Sequence, residues 1–294
     1  MPSLPSETID RMPCLEVWGG NTPVERGLST AGLEVWVYSQ PYQGAKFGGD
    51  VYYVSSCASG RITRLLLADV SGHGAGVASV SASLRDLMRR NVNLISQSRF
   101  VSEMNRQFVE SSKMDEFATA IVCTYFSPTR SLQFCNAGHP VPLLFRAQED
   151  RWMFAPEAAR VETAREIADT PLGAVEEANY SLFEVKLTPG DMMMCFSDAF
   201  TEALDSQGHM LGAEGLLEIT RKLDVSQPAG IVRQLIERIT DGQQHNLAQD
   251  DASVLLFRAD GSSPSLTSDL WTPFRFLRGV RDSTTFKHPE PQPS

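Results

Sequence analysis

Cysteine is scarce in this chain. The 294 residues hold five, Cys14, Cys57, Cys123, Cys135 and Cys195, and histidine is equally thin at five. An odd, scattered set with no Cys-x-x-Cys pair argues against a disulfide framework and against a zinc site. Most of the cysteines sit in apolar runs and read as reduced core residues. Long apolar runs are missing too: none approaches the roughly 20 residues that span a bilayer. The start, Met1-Pro2-Ser3-Leu4-Pro5-Ser6, has neither the basic opening nor the apolar core of a signal peptide. Positive charge is in deficit, with 26 Lys and Arg against 36 Asp and Glu and a net charge of -10. That balance argues against non-specific contact with nucleic acid or an anionic membrane. The expected setting is the cytoplasm.

What is present is ordinary globular material, 42% hydrophobic and 21% charged, with length enough for a sizeable core. One stretch organises it: Leu65-Leu66-Leu67-Ala68-Asp69-Val70-Ser71-Gly72-His73-Gly74-Ala75-Gly76. The apolar run predicts a strand covered on both faces. The three glycines predict a tight loop into a helix, with backbone open to a ligand. Asp69 stands at the lip between strand and loop. A buried, unpaired carboxylate is expensive there, and a bound cation would resolve that cost. The bland alternative is a capped strand-to-helix turn.

Around this stretch the chain reads as follows. Residues 1–13 are rich in Pro and Ser and are expected to be disordered. Leu15–Trp18 reads as a short edge strand and Leu33–Ser39 as an alternating one. Gly48-Gly49-Asp50 leads into a strand at Val51–Val54, which forms a hairpin with Arg61–Val70. Gly76–Ile95 and Arg99–Ser111 are expected helices, each with one apolar face. Strands are expected at Phe117–Phe126, Ser131–Asn136, Val141–Arg146 and Arg151–Phe154. Residues 155–179 look acidic and irregular, a candidate mobile segment over a site. Strands at Tyr180–Leu187 and Asp191–Phe196, helices at Ala213–Leu223 and Pro228–Thr240, and a strand at Ala252–Phe257 complete the pattern. Residues 260–294 form a Pro/Ser-rich tail with an aromatic and basic segment, expected to pack back on the domain.

Four aspartates, Asp50, Asp69, Asp198 and Asp250, each stand beside a short apolar strand. Alone, each is as easily a turn residue. Together they form an oxygen-only donor set of the kind that selects hard cations such as Mg²⁺ or Mn²⁺. Two such ions can activate a water for in-line attack on phosphorus and neutralise the phosphoryl oxygens.

The series Gly48-Gly49-Asp50, Ala68-Asp69-Val70-Ser71-Gly72-His73-Gly74, Asn136-Ala137-Gly138-His139-Pro140, Pro171-Leu172-Gly173, Phe196-Ser197-Asp198-Ala199-Phe200-Thr201-Glu202-Ala203 and Gln249-Asp250-Asp251-Ala252-Ser253 resembles the SpoIIE-type branch of bacterial metal-dependent protein phosphatases, relatives of the protein phosphatase 2C (PPM) group. The resemblance covers about residues 31–259, leaving 1–30 as an N-terminal extension. It implies an α+β fold, a four-layer α-β-β-α sandwich of two antiparallel sheets flanked by helices. It also implies two Mn²⁺ or Mg²⁺ ions and hydrolysis of phosphoserine or phosphothreonine on a protein. The usual substrate of the branch is an anti-sigma-factor antagonist (a STAS-domain protein) in a partner-switching circuit.

On the matching positions, the resemblance makes Asp50 the first metal aspartate. It makes Asp69 the bridging one and Val70 a ligand through its carbonyl, with Asp198 and Asp250 as the remaining acids. Asp251 is expected outside the ligand set or exposed. His73 is a candidate phosphate contact or general acid, and Asn136, Gly138 and His139 are expected to be structural. Three positions depart from the pattern. Tyr53 stands where the branch has a further acid, Ala199 replaces a glycine, and Ser253 stands for Thr. A docking module that binds a phosphoprotein without turnover, and a phosphatase of small phosphate esters, stay open as alternatives. The roughly 30 residues ahead of the motifs are short for a sensor domain. Control is therefore expected from a regulatory partner or from self-association, through the helices that follow Asp69.

Overall fold

Leu65, Leu66, Leu67 and Ala68 are all fully buried, although side chains on a strand alternate between faces. Both faces of their strand are therefore covered. Leu65 and Leu67 pack among Val35, Val37, Leu255 and Phe257 of an opposing sheet. Leu66 and Ala68 pack among Leu84, Phe100 and Met104 of two helices.

The computed structural model describes residues 9–12, 16–57, 60–71, 75–111, 116–162, 169–262 and 281–282. In chain order they form β1 (Asp10–Arg11), β2 (Glu16–Gly20), β3 (Val24–Thr30), β4 (Leu33–Gln40), a 3-10 turn at Tyr42–Gly44, β5 (Asp50–Cys57), β6 (Ile62–Val70), α1 (Ala75–Arg90), α2 (Gln97–Ser111), β7 (Ala118–Phe126), β8 (Ser131–Ala137), β9 (Leu143–Arg146), β10 (Arg151–Phe154), α3 (Ala155–Ala158), β11 (Arg160–Glu162), β12 (Leu182–Lys186), β13 (Met192–Phe196), α4 (Ala199–Glu202), α5 (Gly212–Thr220), α6 (Pro228–Thr240), β14 (Ala252–Ala259) and β15 (Arg281–Asp282). One sheet runs β1-β3-β4-β14-β13-β9-β10 and the other β11-β12-β8-β7-β6-β5-β2-β15. The pairings are antiparallel except for the two-residue parallel contacts of β1 with β3 and β15 with β2.

Three apolar clusters separate the layers. The first lies between the sheets. The second lies between β5–β8 and helices α1 and α2. The third holds Met192, Met194, Phe196, Val254 and Leu256 against Phe200 of α4, Leu216 and Leu217 of α5, and Ile231 and Leu235 of α6. The result is the expected α-β-β-α sandwich.

Several expected boundaries move, each for a local reason. The first helix ends at Arg90 because Asn91 turns the chain there, its side-chain amide and its N–H both donating to the Leu87 carbonyl at 3.0 and 3.1 Å. The stretch 155–179, read from sequence as irregular, contains α3 and β11, elements too short to show a period. Residues 16–30, read as part of an extension ahead of the domain, supply β2 to one sheet and β3 to the other. In the tail, Arg281 and Asp282 lie beside Glu16 and Val17, while Trp271 to Val280 fall outside the described residues. Among the described residues no helix is long and apolar enough to cross a membrane.

A cation in the second cluster had no signal in the sequence. Arg64 on β6 is 1% exposed and lies over the Phe100 ring, 4.1 Å from its centroid. Its guanidinium donates to the Thr124 hydroxyl at 2.9 Å, to the Val92 carbonyl at 3.3 Å and to the Leu94 carbonyl. It thus ties the connection between α1 and α2 to the sheet. Arg64→Met keeps most of the volume but leaves those acceptors without their donor, at about 1–3 kcal/mol for each group left buried. We expect a lower urea midpoint with an unchanged slope, and a destabilisation of roughly 2 kcal/mol or more.

Candidate active site

The sheet register places Asp50 directly opposite Asp69, at the open ends of β5 and β6. From the facing sheet, β13 ends two residues before Asp198, and Asp250 and Asp251 precede β14. Strands β13 and β14 are antiparallel partners, with Phe196 opposite Val254. Asp198 and the Asp250–Asp251 pair therefore leave that sheet at the same end. Each expected aspartate sits where a strand gives way to a loop, and both sheets bring theirs to one rim of the sandwich.

The acids differ sharply in surroundings. Asp50 is 2% exposed, and neither of its carboxylate oxygens has a hydrogen-bond partner. Burial pushes its pKa well above the ordinary carboxylate value and the charge of Asp69 adds to this, with only partial relief from the nearby hydroxyls of Ser253 and Ser197. Asp69 is pushed up to about 7, first by burial and then by Asp198, Asp250, Asp251 and Glu202. Asp198 is raised by burial, Glu202 and Asp250. It opens α4 without capping it through its side chain. Asp250 is exposed, and its Oδ1 accepts the N–H of Asp251 at 2.7 Å. The Val70 carbonyl oxygen faces Gly49, where a Cβ would lie 3.1 Å away.

Asp191 is a useful contrast. It is as deeply buried, at 1%, yet it accepts the N–H groups of Ala147 and Thr188 at 2.9 and 2.8 Å and pairs with Arg146 at 3.0 Å. That is how a structural buried acid is normally kept. Asp50 has no such partners. The groups that face it are oxygen only, the carboxylate of Asp69 and the hydroxyls of Ser253 and Ser197. Among the described residues no three acidic, histidine or cysteine side chains are drawn together tightly enough to form a finished metal cage. The arrangement is a set of mutually repelling carboxylates around an orphaned one, and the chemistry of that set fits hard divalent cations.

The expected structural motif behaves as one. The side-chain amide of Asn136 donates to the His139 carbonyl, and its Oδ1 accepts the His139 N–H, both at 2.8 Å. Gly138 has φ +68°, and a Cβ there would lie 2.8 Å from Pro171. His139 is pushed down to about 3 by burial and shares a 2.9 Å hydrogen bond with Thr119, the residue opposite Asp69 on β7. His73 lies outside the described residues.

Of the departures from the family pattern, one faces away from the acids and two stand beside them without supplying or removing a proposed ligand. Tyr53 belongs to the cluster facing α1 and α2, on the face of β5 opposite Asp50, since three residues on a strand reverse the side-chain direction. Ala199 lies in α4 and has no positive φ, so no glycine is required there. Ser253 is fully buried, and its hydroxyl donates to Ser39 at 2.9 Å. Asp251, expected outside the ligand set or exposed, accepts the Gly49 N–H in the Gly48-Gly49 turn, a partner the sequence reading did not name. The paired glycines were the available signal.

The family model described as Stage II sporulation protein E (SpoIIE) matches residues 59–260, more than half of the chain. The chain belongs to the SpoIIE family. It is 22% identical over 241 residues to the phosphoserine phosphatase RsbU of Bacillus subtilis (strain 168), across 82% of this chain and 66% of RsbU. It therefore spans just under two thirds of that relative's length. Among solved structures, the PP2C phosphatase domain of SpoIIE from Bacillus subtilis with a fragment of its regulatory domain superposes with a TM-score of 0.63 at 16% identity, over 78% of this chain and 64% of that one. RsbX in complex with magnesium superposes with a TM-score of 0.55 at 15% identity, over 80% of this chain and 99% of that one. These likenesses show that the SpoIIE-family sandwich described above is a PP2C-type fold.

The raised pKa of Asp69 has a measurable consequence for the metal-free chain. Its folded value, about 7, exceeds the ordinary 3.8, so its contribution to stability is full below about pH 4 and is lost as pH rises through 7. In chelator, Asp69→Asn is expected to raise the melting temperature most above pH 7, with the gain shrinking toward pH 4. A gain that does not vary with pH would contradict the electrostatic account.

Proposed function

We propose that this chain is a metal-dependent protein-serine/threonine phosphatase, with Asp50, Asp69, the carbonyl of Val70, Asp198 and Asp250 as its metal ligands. The observation that carries the reading is Asp50: a buried carboxylate with two unpartnered oxygens, opposite Asp69 and among acids drawn from both sheets. When bound, two Mn²⁺ or Mg²⁺ ions supply positive charge against the phosphoryl oxygens and lower the pKa of the attacking water. The protein's part is to hold the ligands. Asp69 feels the charges of Asp198, Asp250 and Asp251 and is also felt by Asp50, which suits a carboxylate shared between two ions. His73 is the candidate phosphate contact or general acid.

A protein substrate is favoured over a small ester by the rim. Tyr42, Phe47 and Phe117 are exposed, and each lies on, or is bonded to, a segment that adjoins one of the acids. Tyr42 donates its N–H to Asp251, Phe47 precedes Gly48-Gly49, and the Phe117 carbonyl accepts the N–H of Ser71. Aromatic side chains of this kind contribute contact area to a macromolecular partner. The family resemblance makes a phosphorylated STAS-type protein the substrate of choice, within a partner-switching pathway, with a regulatory partner or self-association as the control.

Hydrolysis of p-nitrophenyl phosphate by the purified chain, with Mn²⁺, with Mg²⁺ and with chelator, tests the chemistry. Turnover is expected only with metal, and Asp50→Asn or Asp69→Asn should lower it by at least about 100-fold, beyond the 10–100-fold typical of residues that merely support ligands. Release of phosphate from a phosphoserine STAS protein then tests the substrate. Metal binding without turnover on either substrate would favour the docking module, and no metal binding would sink the ligand assignment.

A further inference from the structure

Asp251 stands apart from the other acids because both of its oxygens are engaged. Oδ1 accepts the backbone N–H of Tyr42 at 2.6 Å, and Oδ2 accepts the backbone N–H of Gly49. The approach is so close that a Cβ at Gly48 would lie 2.8 Å from Oδ1, and one at Gly49 would lie 3.3 Å from Oδ2. The paired glycines are thus explained by the carboxylate they wrap.

The clamp is itself anchored. The Asp251 carbonyl accepts the Ser197 hydroxyl at 3.2 Å. The same hydroxyl accepts the Ser253 N–H at 2.9 Å. On its far side the glycine turn is held by Asn21, whose side chain donates to the Gly48 carbonyl at 2.9 Å and whose carbonyl accepts the Gly48 N–H at 2.8 Å. The turn that delivers Asp50 from one sheet is therefore fixed by a residue from the other. One residue separates the clamped Gly48 from Asp50, and none separates Gly49 from it.

We infer that Asp251 is a positioning residue: by clamping the Gly48–Gly49 turn it sets where Asp50 presents its carboxylate to a divalent cation. The inference rests on the reading of Asp50 as a metal ligand. A carboxylate suits the task because its two oxygens are both acceptors. An asparagine can accept one N–H but must turn its own NH₂ toward the other. Bonds from backbone N–H to an ionised carboxylate are also about twice as strong as neutral ones.

The experiment is calorimetric titration of Mn²⁺ alone into the chelator-stripped full chain. It compares wild type, Asp251→Asn, Asp251→Ala, Gly48→Ala, the Gly48→Ala/Asp251→Ala double variant and Asp50→Asn, with melting temperatures and amide hydrogen exchange alongside. We expect Asp251→Ala to weaken Mn²⁺ binding about 10–100-fold, Asp251→Asn to weaken it less, and the Gly49 and Tyr42 amides to exchange faster. Gly48→Ala should weaken Mn²⁺ binding by itself and add little once Asp251 is Ala, a coupling that a general loss of stability does not produce. Should Asp251→Ala fail to fold, Asp251→Asn and Gly48→Ala carry the test. Unchanged Mn²⁺ affinity in the Asp251 variants, with binding abolished in Asp50→Asn, would overturn the positioning role and leave the ligand reading intact. Absence of Mn²⁺ binding in wild type would overturn both.

Discussion

Repulsion among carboxylates is the constraint on which the rest of this structure depends. The two sheets bring Asp50, Asp69, Asp198 and Asp250 to one rim, and burial sharpens the conflict between them. A fold organised only for stability would neutralise such a group with N–H donors and a cation, as it does for Asp191. At the rim the protein instead keeps Asp50 buried and unpartnered. The free energy that this costs must be offset elsewhere, and burial in the three apolar layers is the favourable term at hand. A buried carboxylate with both oxygens unpartnered and further acids around it marks a working site.

The architecture explains why those acids can be held apart and still face one another. A single sheet can place Asp50 opposite Asp69, because neighbouring antiparallel strands put their ends side by side. It cannot surround them. The second sheet, packed across the first cluster, brings Asp198 and Asp250 from the other side. Rigid strands beneath each acid fix its starting point, so that only the loops remain adjustable. Sites carried on regular elements are more exactly placed than sites on loops alone.

Much of this was legible in the sequence, and the legible parts share a cause. The doubly covered strand β6, the hairpin with β5 and the apolar faces of α1 and α2 are set by local hydrophobic pattern. The four aspartates were visible because each follows or precedes a short apolar run. Other features depend on residues far apart in the chain and leave no local trace. Arg64 looks like an ordinary polar position on a strand, yet it is buried under the α1–α2 connection. Strand β3 precedes the family motifs and reads as part of an extension, because its pairing partner β4 supplies the pattern that makes it a strand; Leu15–Trp18 reads as an edge strand, but its pairing with β5 is not visible locally. Asp251 looked like the lesser half of an acidic pair, since nothing local joins it to glycines some 200 residues earlier.

The family departures can be judged by the same geometry. A residue matters to the rim only if the pleat points it there. Tyr53 lies three positions from Asp50 and so faces the helices; a lost acid at that position is a change in the outer core, away from the carboxylates. Ala199 sits in helical backbone where a Cβ is harmless. Ser253 retains a hydroxyl, which lies beside Asp50 and donates to Ser39. Each departure therefore alters packing around the site and leaves every proposed ligand in place. Sequence divergence from the motif and divergence from the chemistry are different quantities, and here the strand period separates them.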